Sequence, residues 1–184
     1  MRQFPKILFL LILLVLSISC DDEKIKPKIN FTIDEENLPI QQSWNSKILF
    51  TENGILKGIL YTDYLEAFKK PKEKLLTKVK VEFFNSKGIK TSQLTSKRGR
   101  IDDVTQDMFA IDSVVAVNDS AKVKLETEEL MWRKEDQKIV SEKFVRITTE
   151  TEIIEGYGLV SDQHIQNYVI KNVTYQTTTD AVKK

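Results

Sequence analysis

The sequence predicts an all-β domain of antiparallel hairpins, a sandwich, barrel or roll. Three observations carry that prediction. Apolar and charged residues alternate with a period of two, as in "TKVKVEF", where Val79, Val81 and Phe83 share one face and Lys78, Lys80 and Glu82 the other. Turn signatures recur between such segments. Beyond residue 40, no long stretch carries the 3.6-residue apolar repeat of an amphipathic helix.

Composition bounds the rest. A chain of 184 residues, 41% of them hydrophobic, suits one compact domain. Its 28 basic and 27 acidic side chains nearly cancel, so no strong field selects nucleic acid or another highly charged partner. The single cysteine, Cys20, excludes an intramolecular disulfide, a cysteine-rich zinc site and a CxxC redox pair.

Residues 1–19 read as an export signal: Arg2 and Lys6 precede "ILFLLILLVLSI" (Ile7 to Ile18), apolar apart from Ser17. Twelve residues fall short of the ~20 that a spanning helix needs, which favours cleavage over a permanent anchor. Ser19 and Cys20 resemble a bacterial lipobox, with Cys20 as the lipidation site; Ser17 stands where the usual Leu would, and Leu16 is one step further out. Cleavage before Cys20 would leave the protein hanging from acyl chains in an extracytoplasmic space, more than one chain being needed for stable attachment. The alternative is an uncleaved anchor. By analogy with proteobacterial lipoproteins, Asp21 favours retention at the inner membrane. Residues 20–40, with mixed charge, Pro27 and Pro39, read as a lipidated tether.

The β domain is expected over 41–178, with 179–184 as a tail. The segment "YLEAFKK" (Tyr64 to Lys70) is the one candidate for a short helix. "AKVKLET" repeats the strand pattern, with Val123 and Leu125 dry and Lys122, Lys124 and Glu126 wet. Turns are expected at "ENG" (Glu52 to Gly54), "NSKG" (Asn85 to Gly88), "NDS" (Asn118 to Ser120) and "EGYG" (Glu155 to Gly158). Gly156 and Gly158 serve either an ordinary turn or a bulge with close backbone approach. The last strand is expected in "NYVIKNVTYQTT". A short polar motif recurs at Thr62, Thr91, Thr127 and Ser161, a sign of one hairpin unit stacked on itself.

Catalytic chemistry has little to build on. His164 is the sole histidine and reads as a surface residue, which leaves no triad or multi-histidine metal site. Asp102, Asp103, Asp107 and Asp112 lack the spacing of a calcium loop and read as a solvated turn. "KKPKEK" (Lys69 to Lys74) reads as a wet loop, with anionic head groups as the alternative contact. No enzyme activity, cofactor or metal is expected.

One stretch is more specific. Lys122 to Asp162 resembles the core of the LptC family, the membrane-anchored periplasmic component of the lipopolysaccharide transport ABC exporter. The resemblance rests on Thr127, Glu128, Leu130, Trp132, Ile139, Ser141, Glu142, Val145, Ile147, Gly156, Gly158 and Asp162, and extends over Gln41 to Tyr175. It implies an open twisted β-jellyroll of the OstA/LptA type whose apolar interior accommodates lipid A acyl chains. It also implies edge-to-edge pairing with the transporter subunits LptF and LptG on one side and an LptA-like bridge protein on the other. The lipid-binding groove would then be lined by Val79, Val81, Phe83, Val115, Val117, Val123, Leu125, Trp132, Val145, Ile147 and Leu159. For most of these, taken singly, plain core packing is the competing role. The partner edge would carry Val169, Val173 and Tyr175. A β-module used only for protein docking is the alternative reading.

Overall fold

The computed structural model describes residues 38–178. The expected signal over 1–19, the lipidation site Cys20, most of the 20–40 tether and the 179–184 tail lie outside the described residues. Nine strands follow one another: β1 (Gln41–Glu52), β2 (Ile55–Phe68), β3 (Glu73–Phe84), β4 (Lys90–Asp102), β5 (Met108–Asn118), β6 (Val123–Arg133), β7 (Lys138–Thr148), β8 (Glu152–Ser161) and β9 (Tyr168–Thr178). They pair in sequence order as one antiparallel sheet. Among the described residues β1 and β9 each have one neighbour, so the sheet is an open jellyroll of repeated hairpins, as the sequence predicts.

Local chemistry explains most of the connections. Asn53 and Gly54 (φ 50° and 77°) make the left-handed two-residue turn that matches strand twist. The Asn85 side chain accepts the N–H groups of Lys87 and Ile89, with Gly88 at φ 73° closing the turn. "EGYG" is no turn and lies inside β8. The β7–β8 connection is instead Thr149 to Thr151, where the Thr149 hydroxyl accepts the N–H groups of Thr151 and Glu152. "YLEAFKK" is no helix either. Most of it continues β2 between two paired neighbours, with Leu65 and Ala67 alternating into the core, so pairing overrides local preference.

A line of kinks crosses the sheet at mid-strand. The ladders skip a pair at Asn45/Asp63, Asp63/Lys78 and Lys78/Lys97. They shift register beside Ser96, at Asp112–Ser113, after Thr127, after Ser141 and at Gly156. Asn45, Lys78, Asp112, Ser113 and Gly158 all take positive φ there. Beside several of the kinks, buried hydroxyls satisfy backbone carbonyls. Thr62 donates to the Tyr64 and Thr77 carbonyls (2.9 and 2.7 Å), Ser96 to Arg98 (2.8 Å), Thr127 to Phe144 (2.7 Å) and Ser141 to Glu129 (2.7 Å). Of the sequence repeat, Thr62 and Thr127 fall on this line. Thr91 and Ser161 fall near strand ends, and Ser96 takes the place expected of Thr91.

The kinks fold the sheet so that its inner face meets itself. Two apolar clusters fill the fold. One joins Leu60, Leu65, Ala67, Leu76, Val79 and Ile101 from β2 to β4. The other gathers eleven buried residues, chiefly from β5 to β8, around Leu125, Val145, Ile147 and Leu159. Folding also brings opposite rows of turns together: the Asn118 side-chain amide, at the end of β5, donates to the His164 carbonyl in the β8–β9 loop at 2.6 Å.

Candidate functional site

Strand register defines the inner face. One row across the sheet reads Ile48, Leu60, Val81, Leu94, Ala116, Leu125, Ile147 and Ile154. A second reads Phe50, Gly58, Phe83, Ser92, Asn118 and Val123. Beyond the kinks, Trp132 stands between Met108 and Ile139. Nine of the expected groove residues therefore share one continuous apolar face: Val79, Val81, Phe83, Val123, Leu125, Trp132, Val145, Ile147 and Leu159.

Val115 and Val117 do not. Val115 pairs with Thr95 and Glu126, and Val117 with Gln93 and Lys124, on the outer face. The cause is local. Asp112 and Ser113, both at positive φ, add a residue to β5, so its alternation runs unbroken through the kink: Ala110, Val114, Ala116 and Asn118 all face inward, while β4 and β6 switch faces there. Val117 instead borders a shallow outer cavity of about 250 Å³ with Lys122, Lys124 and Thr148.

The inner face is filled by its own side chains. Leu125, Val145, Ile147 and Leu159 are 0% exposed, whereas Val81, Phe83 and Trp132 are only half-buried. Two inward hydroxyls, Ser92 and Ser161, are buried with no hydrogen-bond partner among the described residues. Leaving such a group unpaired costs about 1–3 kcal/mol.

Among the described residues, the sheet ends in two long unpaired edges. β1 carries Lys47 and Glu52 as its charged residues and β9 carries Lys171 alone; neither contains proline, a bulge-independent guard that blunts many natural edges. Val169, Val173 and Tyr175 are exposed on β9, Val173 on the inner row and Tyr175 on the outer. At the other edge, sequence reading missed Trp44 and Leu49, exposed on the outer side of β1, with the Trp44 ring 5.4 Å from that of Tyr64. The signal was an isolated Trp within the polar "QQSWNSK".

Two glycines seat β9. A Cβ on Gly156 would lie 2.3 Å from the Asn172 carbonyl oxygen, so only glycine permits this approach of β8 to β9. At Gly158, φ is 77° and the Lys171 stem lies over the open space, its ammonium reaching Glu142 at 2.6 Å. Other outer ion pairs bridge the kinks: Lys78 with Asp63 (2.8 Å) and Arg98 with Asp112 (2.5 Å). The Arg98 guanidinium holds the Asp112 carboxyl below its ordinary range. Exposed pairs of this kind are screened by solvent and add little stability.

The acidic loops are structural. Asp102 accepts the N–H groups of Val104 and Thr105 and so shapes the β4–β5 turn. Lys74 pairs with Asp103. Among the described residues no cluster of three His, Cys, Asp or Glu side chains could hold a metal, and no helix is long and apolar enough to cross a membrane.

The fold and faces define a class: an open, single-sheet β-roll with an apolar interior and two free edges. The family model described as "Lipopolysaccharide-assembly, LptC-related" matches residues 7–179, and the chain belongs to that LptC family. It is thus a non-enzymatic component of lipopolysaccharide transport, associated with the periplasmic side of the inner membrane. No curated protein matches the chain.

Proposed function

We propose that this chain accepts lipopolysaccharide from the inner-membrane LptF/LptG transporter and passes it to an LptA-like bridge protein, with lipid A acyl chains lying against the inner face. The observation that carries the reading is the pairing of one continuous apolar face with a free edge strand at each of its ends among the described residues. Main-chain hydrogen bonds at β1 and β9 would extend the sheet into each partner, and with it the apolar surface. Val81, Phe83 and Trp132, half-buried on that face, are the first contacts for lipid. Two acyl chains on Cys20 would hold the roll at the membrane after signal cleavage.

Removal of the segment after Asn167 tests the edge assignment. A truncated, still folded chain should lose pairing with the bridge protein; normal pairing would rule out β9 as its contact. The complete burial of Leu125, Val145, Ile147 and Leu159 favours a second reading, a docking module whose interior never receives lipid. The two readings differ in whether lipid is found on the inner face during export.

A further inference from the structure

We propose that the β8–β9 loop is a latch on the roll, and that the Ile165 side chain occupies the place an entering acyl chain takes. The inference rests on the lipid-carrying role proposed above and adds where the interior opens.

Ile165 comes from a connecting loop, yet it is 3% exposed and packs in the same cluster as Ala116, Val123 and Ile147. Connecting loops ordinarily run over the surface, since their backbone needs water. Here one aliphatic side chain turns inward into the β5–β8 cluster. Its backbone is unusual too. At φ 55°, Ile165 sits in the left-handed region, where a β-branched residue is crowded and glycine or asparagine is the ordinary occupant. The conformation is imposed by neighbours. The Asp162 carboxylate accepts the N–H groups of His164, Gln166 and Asn167 and the Asn167 side-chain amide. From the opposite row of turns, Asn118 donates to the His164 carbonyl.

Residues held in a disfavoured conformation by surrounding bonds cluster at clamps and switch regions, where the strain is part of the mechanism. What would replace Ile165 follows from its surroundings. The cluster offers an apolar, aliphatic-lined space, so an acyl chain substitutes for it without exposing that lining to water. The two unpartnered buried hydroxyls are tied to this loop by the ladder and by sequence. Ser92 stands opposite Asn118 in the β4–β5 ladder, and Ser161 immediately precedes Asp162. Both would meet the ester and hydroxyl oxygens that a bare isoleucine lacks.

The test uses the full-length chain in nanodiscs, with a photoreactive residue at Trp132 and lipopolysaccharide as the titrant. Trp132 packs against the cluster that holds Ile165. Ile165→Gly removes the plug and relieves the backbone, so half-maximal crosslinking should occur at about tenfold lower lipopolysaccharide, as when a closed-state penalty is lifted. In the unsubstituted chain, saturating lipopolysaccharide should speed hydrogen exchange of the 163–167 amides, a readout that stands even if the variant does not fold. Crosslinking of both chains at equal concentration, or loop amides equally protected with and without lipid, would overturn the latch and leave the lipid-carrying role standing. No crosslink in either chain would overturn both.

Discussion

The stem of Lys171 crosses Gly158: a Cβ built on that glycine would come within 2.9 Å of the lysine Cδ. Through this contact a residue of the free edge strand spans β8 to reach Glu142 on β7. Gly158→Ala should therefore loosen β9 through both the 77° φ and the displaced lysine, costing about 1–2 kcal/mol. Gly156→Ala should cost more, because the obstacle at 2.3 Å is backbone. Urea unfolding of the two variants gives the order. Equal, negligible losses would contradict the close seating of β9.

Thr127 donates to the Phe144 carbonyl at a kink and is itself buried. Thr127→Val keeps the shape but strands that carbonyl, for an expected loss of about 1–3 kcal/mol. Thr127→Ser, which retains the donor, should lose less. Thermal unfolding of both separates the hydroxyl's role from that of the methyl.

The faces make opposite predictions for neighbouring strands. Leu125→Ala empties a fully buried site and should cost about 2–5 kcal/mol. Val115→Ala, on the outer face beside Thr95 and Glu126, should cost less than about 1 kcal/mol. Comparable losses would mean that Val115 does not face outward.

Burial works to raise the Asp162 carboxyl, but the hydrogen bonds from Gln166, Asn167 and His164 outweigh it and hold the folded value below the ordinary 3.8. The ionised form is the one that the loop binds, so its stabilisation is complete above the ordinary value. It is lost as pH falls through the lower folded value. Exchange of the 163–167 amides, corrected for its intrinsic pH dependence, should rise selectively below about pH 3.8. Asp162→Asn should reproduce much of that rise at neutral pH.

The strand faces were legible wherever charge marked one side, as in "TKVKVEF" and "AKVKLET". They were not legible in "SVVAVN", where four small apolar residues in a row offer no charged neighbour to reveal the face. There the extra residue at Asp112 and Ser113 keeps one alternation along all of β5 while β4 and β6 switch, and that is a property of the folded sheet. Mid-strand kinks escaped for the same reason. Some depend on a carbonyl from a neighbouring strand, as Thr127 needs Phe144. The turn at Thr149 to Thr151 was hidden because it uses a threonine hydroxyl rather than glycine or asparagine. Ile165 carried no sequence signal, since an isoleucine beside a histidine in a polar loop gives no hint of burial across the roll.

The most direct measurement is photocrosslinking in cells with the photoreactive residue at Phe83, on the inner face between Gly58 and Ser92, and at Val115 on the outer face as the control. An ATP-dependent adduct with lipopolysaccharide at Phe83 and none at Val115 is the result expected of a lipid-carrying interior. A folded, transporter-associated protein that gives no adduct at Phe83 would contradict it.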